Sequence, residues 1–273
     1  MNEIIMSTLW NNVRYHAPIE CLIDTMIRVY DIRKANISIL TEKGFLSGEQ
    51  YYQLYEADKM DREVFIGKLL GANPSASKAL QDGIIEAKRI FFESNHLEDN
   101  DILEIDNDAV YVFGYKPVNI QQTSPLVYFK LAEVYSSFYK VKDIEYLYYF
   151  NMIANTEYLK AKGLGSATEL HEPYMLDFLK TLFYTAQTQG VPEAISLLNS
   201  FYQKYMNKEL DIGYYRNLNP RSLYSVGNFD KFGTYKIETD NRSLLKVLDI
   251  SYNEKILRQF NILLSSRYFK GDR

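Results

Sequence analysis

The chain has 273 residues, of which 47% are hydrophobic and 24% charged, with a formal net charge of −4. That is an ordinary globular composition with ample core material, enough for one elaborate domain or two small ones at ~100–200 residues each. It lacks the basic excess of an independent nucleic-acid binder, and its single cysteine, Cys21, excludes an internal disulfide framework. The opening MNEIIMSTLWNN has no basic region followed by an apolar one, so it does not read as a secretion signal. No stretch approaches the ~18 consecutive apolar residues of a membrane span. A soluble protein of a reducing, cytoplasmic compartment with no membrane partner is expected.

In chain order, residues 20–30 (ECLIDTMIRVY) are apolar and lead into Asp31. Residues 34–41 suit strand or helix equally, and Gly44 ends that run. Two short helical patterns follow, 47–57 with Ser47 as N-cap and 59–72 with apolar Val64, Phe65, Ile66, Leu69 and Leu70. Asn73-Pro74 breaks the pattern. A longer helix is predicted over 75–95, where Leu80, Ile84, Ala87 and Phe91 recur at helical spacing. ILEI, DND and AVYVF (102–113) then read as a β-hairpin, because Asp and Asn tolerate turn geometry. Several strands are predicted in 126–150, helices over about 170–206, a loop-rich stretch over 211–240 and a last helix over 241–266. The expected division is a domain of residues 1–150 and a helical region of residues 151–273.

The acidic positions carry the chemistry. Two divalent ions about 3.5–4 Å apart can catalyse nucleotidyl transfer, one helping the attacking hydroxyl and the other the leaving oxygen. Magnesium takes oxygen ligands and keeps several waters, so one or two carboxylates plus substrate phosphates suffice. A strand ending in Asp beside a hairpin with Asp at its tip delivers those carboxylates to one point.

Here the sequence resembles the family B DNA polymerases. Their first palm motif, approximately D-F-N-S-L-Y-P-S-I-I, aligns without a gap on D-I-R-K-A-N-I-S-I-L, Asp31 to Leu40. Their third, approximately Y-G-D-T-D-S-I-F-V, aligns on E-I-D-N-D-A-V-Y-V, Glu104 to Val112. Between them, approximately K-L-x-x-N-S-x-Y-G aligns on K-L-L-G-A-N-P-S-A, Lys68 to Ala76, with the asparagine one place late and the Tyr-Gly pair absent. The resemblance implies an α+β fold. It would be an antiparallel palm-like sheet backed by helices, with a two-helix fingers insertion at 41–74 and a thumb-like helical C-terminal region. It implies Mg²⁺ or Mn²⁺ held by Asp31, Asp106 and Asp108, with Asp108 the principal ligand, and Lys68 on the triphosphate. Arg62, nearly two turns upstream of Lys68, is a second candidate phosphate contact by position and charge. Asn36 replaces the family's sugar-facing tyrosine, and the residues before Asp31 leave no room for a proofreading exonuclease. The implied partners are primer-template nucleic acid, a nucleoside triphosphate and a replication protein. The tyrosine bias, 24 residues, matches AT-rich genomes, many phage genomes among them, and would place the protein in a host cytoplasm.

Plainer readings stand beside these. Asp31 can end a strand or pair with Arg28 or Arg33, and DND can be a simple turn. Lys68 can be a solvated helix charge. His16, His96 and His171 have no metal-ligand spacing, Gly163-Leu164-Gly165 is too short for a dinucleotide fingerprint, and no G-x-S-x-G elbow occurs. The mix of Tyr135, Phe138, Tyr139, Lys140 and Lys142 reads better as a strand with one buried aromatic face than as a base-stacking platform. A palm fold retained without catalysis, serving nucleic-acid or protein binding, is the alternative to the enzyme.

Overall fold

The computed structural model describes residues 7–120, 124–141, 144–151, 156–162, 172–211, 214–215, 228–229, 235–236 and 254–265. The chain forms two units, one of residues 1–19 and 25–135 and the other of residues 20–24 and 136–273. Helices and antiparallel sheets make both, so the fold class is α+β.

The first unit is built around β3 (Ile27–Ile32), whose Ile, Val and Tyr residues suit a pleated, buried surface. Its neighbours are β5 (Ala109–Phe113) and β6 (Phe129–Tyr135), and β4 (Ile102–Asp106) and β1 (Arg14–His16) complete the antiparallel order β1-β4-β5-β3-β6. The short β2 (Cys21–Leu22) belongs to the other unit. The expected hairpin is present as β4 and β5, joined by Asn107 and Asp108. Asn107 takes a left-handed φ of 54°, which asparagine tolerates better than most residues.

The segment open to strand or helix is α1 (Ala35–Glu42), with Ile37, Ile39 and Leu40 buried. Lys34, at φ 46°, turns the chain from β3 into it. Next come α2 (Gly48–Glu56) and α3 (Lys59–Ala72), each started as its letters indicate. Ser47 and Gln50 form a capping box, and Asp58 accepts from the Asp61 amide. Then α4 (Pro74–Ser94) begins with Asn73 Oδ1 accepting from two first-turn amides. Its stripe Ala76, Leu80, Gly83, Ala87 and Phe91 is buried. Phe91 stacks 4.3 Å from Phe129 and lies 5.3 Å from Tyr30, fixing α4 under the sheet. A Cβ at Gly83 would stand 2.3 Å from Ile39 Cγ2, so this glycine sets the close approach of α1 to α4.

In the second unit, β2, β7 (Ser137–Val141), β8 (Ile144–Asn151) and β9 (Thr156–Lys162) form one sheet in that order. Helices α5 (Glu172–Thr188), α6 (Val191–Met206) and α7 (Glu254–Ser265) share its core with Tyr146, Tyr148, Leu179, Phe183, Leu198 and Phe260. The expected boundary lay after residue 150, with a helical region beyond it. The chain divides after Tyr135, and β7 pairs with β8, and β8 with β9 over seven positions, so these three strands belong to one sheet. Within 211–240 a short pair is described, β10 (Asn228–Phe229) with β11 (Tyr235–Lys236). Lys142, Gly163-Leu164-Gly165, His171, most of 211–240 and the expected helix outside α7 lie outside the described residues. Among the described residues no helix is long and apolar enough to cross a membrane.

Candidate functional site

Register assembles a row of charge across the first sheet. Arg14 pairs with Asp106, Asp106 with Ala109, Ala109 with Asp31 and Asp31 with Lys130, spanning all five strands. Directly opposed residues stand on the same face with Cβ atoms about 4.5–5.5 Å apart. The row therefore reads cation, acid, alanine, acid, cation. Its ends are closed by ion pairs, Arg14 Nε to Asp106 Oδ1 at 3.6 Å and Lys130 Nζ to Asp31 Oδ1 at 3.5 Å. Both pairs are solvent-accessible, so each is worth at most about 1 kcal/mol. Asp31 Oδ1 is itself withdrawn from solvent and accepts no hydrogen bond, so Lys130 attracts it without satisfying it.

Asp108 sits in the turn beside Ala109, where the negative charges of Asp31 and Asp106 act on it. Burial first, and those two carboxylates second, push its carboxyl above the usual range. Asp31 and Asp108 open onto a cavity of about 500 Å³ with Lys34, Asn36, Lys59, Arg62, Glu63 and Lys130 among its walls. The cations come from three directions. Lys34 heads α1, Lys59 and Arg62 lie one turn apart on α3, and Lys130 lies on β6. Lys34 shows the crowding: burial, then the positive Arg62 and Arg33, hold its ammonium below its ordinary range. Its Nζ stands 3.4 Å from the centre of the Tyr55 ring and donates to the Tyr55 carbonyl. Arg33, outside the cavity, bridges the Tyr55 and Tyr128 hydroxyls.

Under the turn lies a residue that no motif marks. Lys88 of α4 is 1% exposed and its Nζ donates to the Asn12 carbonyl at 2.5 Å. Burial pushes its ammonium down to about 8, against the opposing pull of Asp108.

Of the expected residues, Asp31, Asp108, Arg62 and Asn36 line this one cavity. Lys68 does not. It lies two positions past buried Ile66, about 200° around the helix, and is exposed on the far side of α3. Asp106 is turned to Arg14 and to the Asn107 amide nitrogen, and the three aspartates do not each bring an oxygen within 4.8 Å of the others. Sequence reasoning missed Lys34, Lys59 and Lys88. Lys59 could have been found by helical spacing, since Lys59, Arg62, Glu63 and Ile66 follow i, i+3, i+4, i+7, while Lys34 and Lys88 carried no such signal.

The donor set fits a hard divalent cation: carboxylate oxygens, one of them without a hydrogen bond, held together against their mutual repulsion. The surrounding cations fit an anionic group such as a polyphosphate. No curated protein matches the chain. Over residues 6–265 it matches the family described as Bacteriophage PBS1 gene 130 protein, and the chain belongs to that phage family.

Proposed function

We propose that the chain is a divergent, minimal DNA polymerase-like nucleotidyltransferase. The first unit acts as a palm-like domain with α2 and α3 as short fingers, and the helices of the second unit act as a thumb. One observation carries the reading: the carboxylate of Asp31 on β3 and that of Asp108 in the turn before the neighbouring β5 share a cavity with four cations. A nucleoside triphosphate needs that combination. Its phosphates need positive charge, and the metals that accompany them need hard oxygen ligands.

In the reaction a primer hydroxyl gives up its proton to solvent, its oxygen bonds to the α-phosphorus, the bond from that phosphorus to the bridging oxygen breaks, and pyrophosphate leaves. Asp31 and Asp108 would hold Mg²⁺ or Mn²⁺, which supplies charge to the attacking and leaving oxygens. Asp106, held by Arg14, adds negative charge from one strand away. Arg62, Lys59 and Lys34 bind the triphosphate, and the uncapped first turn of α1 adds amide donors to that wall. Asn36 offers its amide beside the sugar. Lys130, which pairs with Asp31 at the end of the row, would be free to contact the nucleic-acid backbone once Asp31 served as a metal ligand.

The test is Asp108→Asn with Mg²⁺ or Mn²⁺ in a primer-extension assay. Residues that merely support metal ligands are worth about 10- to 100-fold, so a ligand is expected to cost at least roughly a hundredfold. Equal extension by both proteins overturns the assignment.

A second reading is favoured by the resident cations. Lys130 already pairs with Asp31, and Lys88 acts on Asp108, as in a palm fold kept for nucleic-acid or protein binding without catalysis. It predicts binding that is indifferent to magnesium. Thermal stabilisation by nucleotide that disappears in EDTA counts against it.

A further inference from the structure

The first unit contains a continuous mechanical link that ends at the acidic turn. It begins at Lys88, one of the few charged residues of the described chain with almost no exposure. A buried ammonium demands a partner, and here the Nζ donates to the Asn12 carbonyl at 2.5 Å. Asn12 follows a short turn of helix, Leu9–Asn11, that packs on α4. The next carbonyl, that of Val13, accepts from the Asn107 amide at 2.8 Å. Asn107 is the left-handed residue between Asp106 and Asp108. The following residue, Arg14, pairs with Asp106 both in strand register and through its side chain. Residues 12–14 are thus a strap with one end fastened to α4 by Lys88 and the other to the turn that carries two of the three carboxylates.

We propose that Lys88 is a positioning residue, which through the Asn12–Val13 strap fixes the Asp106-Asn107-Asp108 turn in the conformation that holds a divalent cation. The cation part rests on the function proposed above. The fixing of the turn does not. The charge of Lys88 adds to the same end, since it acts favourably on ionised Asp108. A lysine kept out of water only for packing would be replaced by methionine without consequence for the turn. A lysine that tethers the strap would not.

The experiment uses the full chain in three forms: wild type, Lys88→Met, which keeps length and volume while removing donor and charge, and Lys88→Arg, which keeps both. Backbone hydrogen exchange is read at Asn107 and, as a reference, in α4. Binding of Mn²⁺ alone is read by the electron paramagnetic resonance of the free ion. A hydrogen bond to a charged group contributes about 1.5–3 kcal/mol, so Lys88→Met is expected to speed exchange at Asn107 about tenfold or more. The α4 amides stay protected, Mn²⁺ binds about tenfold more weakly, and Lys88→Arg restores Asn107. Unchanged exchange at Asn107, or exchange raised equally in α4 and the turn, overturns the proposal. If the wild type binds no Mn²⁺, the metal-dependent function fails, while exchange at Asn107 still decides the role of Lys88.

Discussion

Glu145 in the second unit and Asp31 in the first each lie on an inner strand beside lysines, and their surroundings differ. Glu145 is 5% exposed, with Lys140 Nζ at 2.8 Å from one oxygen and Lys162 Nζ at 3.8 Å from the other. Its charge is matched at hydrogen-bonding distance, beneath a core of tyrosine and phenylalanine rings. Asp31 has its cation at 3.5 Å without a hydrogen bond and a cavity in front of it. Where opposite charges fit one another, they hold a sheet together. Where a carboxylate oxygen is left without a hydrogen bond beside an opening, the fold has given up some stability, and such places are candidates for a function.

That contrast can be broken at its strongest point by emptying the aromatic core. Leu179→Ala, at a position with no exposure, is expected to cost about 2–5 kcal/mol in thermal unfolding. Mn²⁺ affinity at the other unit should be unchanged; a large change in affinity would mean that the two regions are not independent in function. On the cation wall, Lys59→Ala and Arg62→Ala are each expected to raise the KM for nucleotide about tenfold, the loss of roughly one charged hydrogen bond. Lys68→Ala should leave it within about twofold, since that side chain is exposed on the far side of α3. If Lys68→Ala proves the most damaging of the three, the cavity is not where the triphosphate lies.

Two smaller effects sharpen the comparison through pH. Lys88 titrates at about 8 when folded and at 10.5 as its ordinary value. The penalty for its buried charge is full below pH 8 and is lost as pH rises toward 10.5, because the unfolded chain holds the extra proton in that window. Wild type should therefore gain stability relative to Lys88→Met across that range, by at most about 1.4 kcal/mol per pH unit, measured by denaturant unfolding. Asp108 is shifted the other way, upward by burial and by Asp31 and Asp106. The cost of ionising it is absent below its unfolded value of 3.8, grows as pH rises, and is complete above its folded value. Without divalent ions at pH 7, Asp108→Asn should melt a few degrees higher than wild type, a change of about 1 kcal/mol in a protein of this length. A lower melting temperature would mean that Asp108 is a matched structural charge like Glu145.

The elements with local chemistry were legible. Ser47, Asp58 and Asn73 each accept a hydrogen bond at the start of a helix, and a helix start is a contest among neighbouring residues only. The hairpin was legible because two β-rich runs flank a turn of Asp and Asn. Asp31 beside Asp108 followed from reading both motifs together. What was not legible depends on distant partners. Ile37, Ile39 and Leu40 suit either element until α4 is there to receive a helix. The boundary after Tyr135 depends on which strand Ser137–Val141 pairs with, and that is β8 and the distant β2. Lys68 was favoured because motif letters are compared along a line, whereas a helix face is an angle. Lys88 is an ordinary helix lysine until the strap at residues 12–14 lies over it.

The charged row across the first sheet also has a symmetry about its middle. Positive Arg14, negative Asp106, neutral Ala109, negative Asp31 and positive Lys130 follow in that order. Such an arrangement is a linear quadrupole: its net charge and its dipole both cancel, so its potential dies away faster than that of a single ion. An approaching cation feels little of it beyond a Debye length, about 8 Å at physiological salt. The row can grip what has already arrived but cannot summon it. Long-range attraction is left to charges outside the row, and the final affinity of the row should vary little with ionic strength.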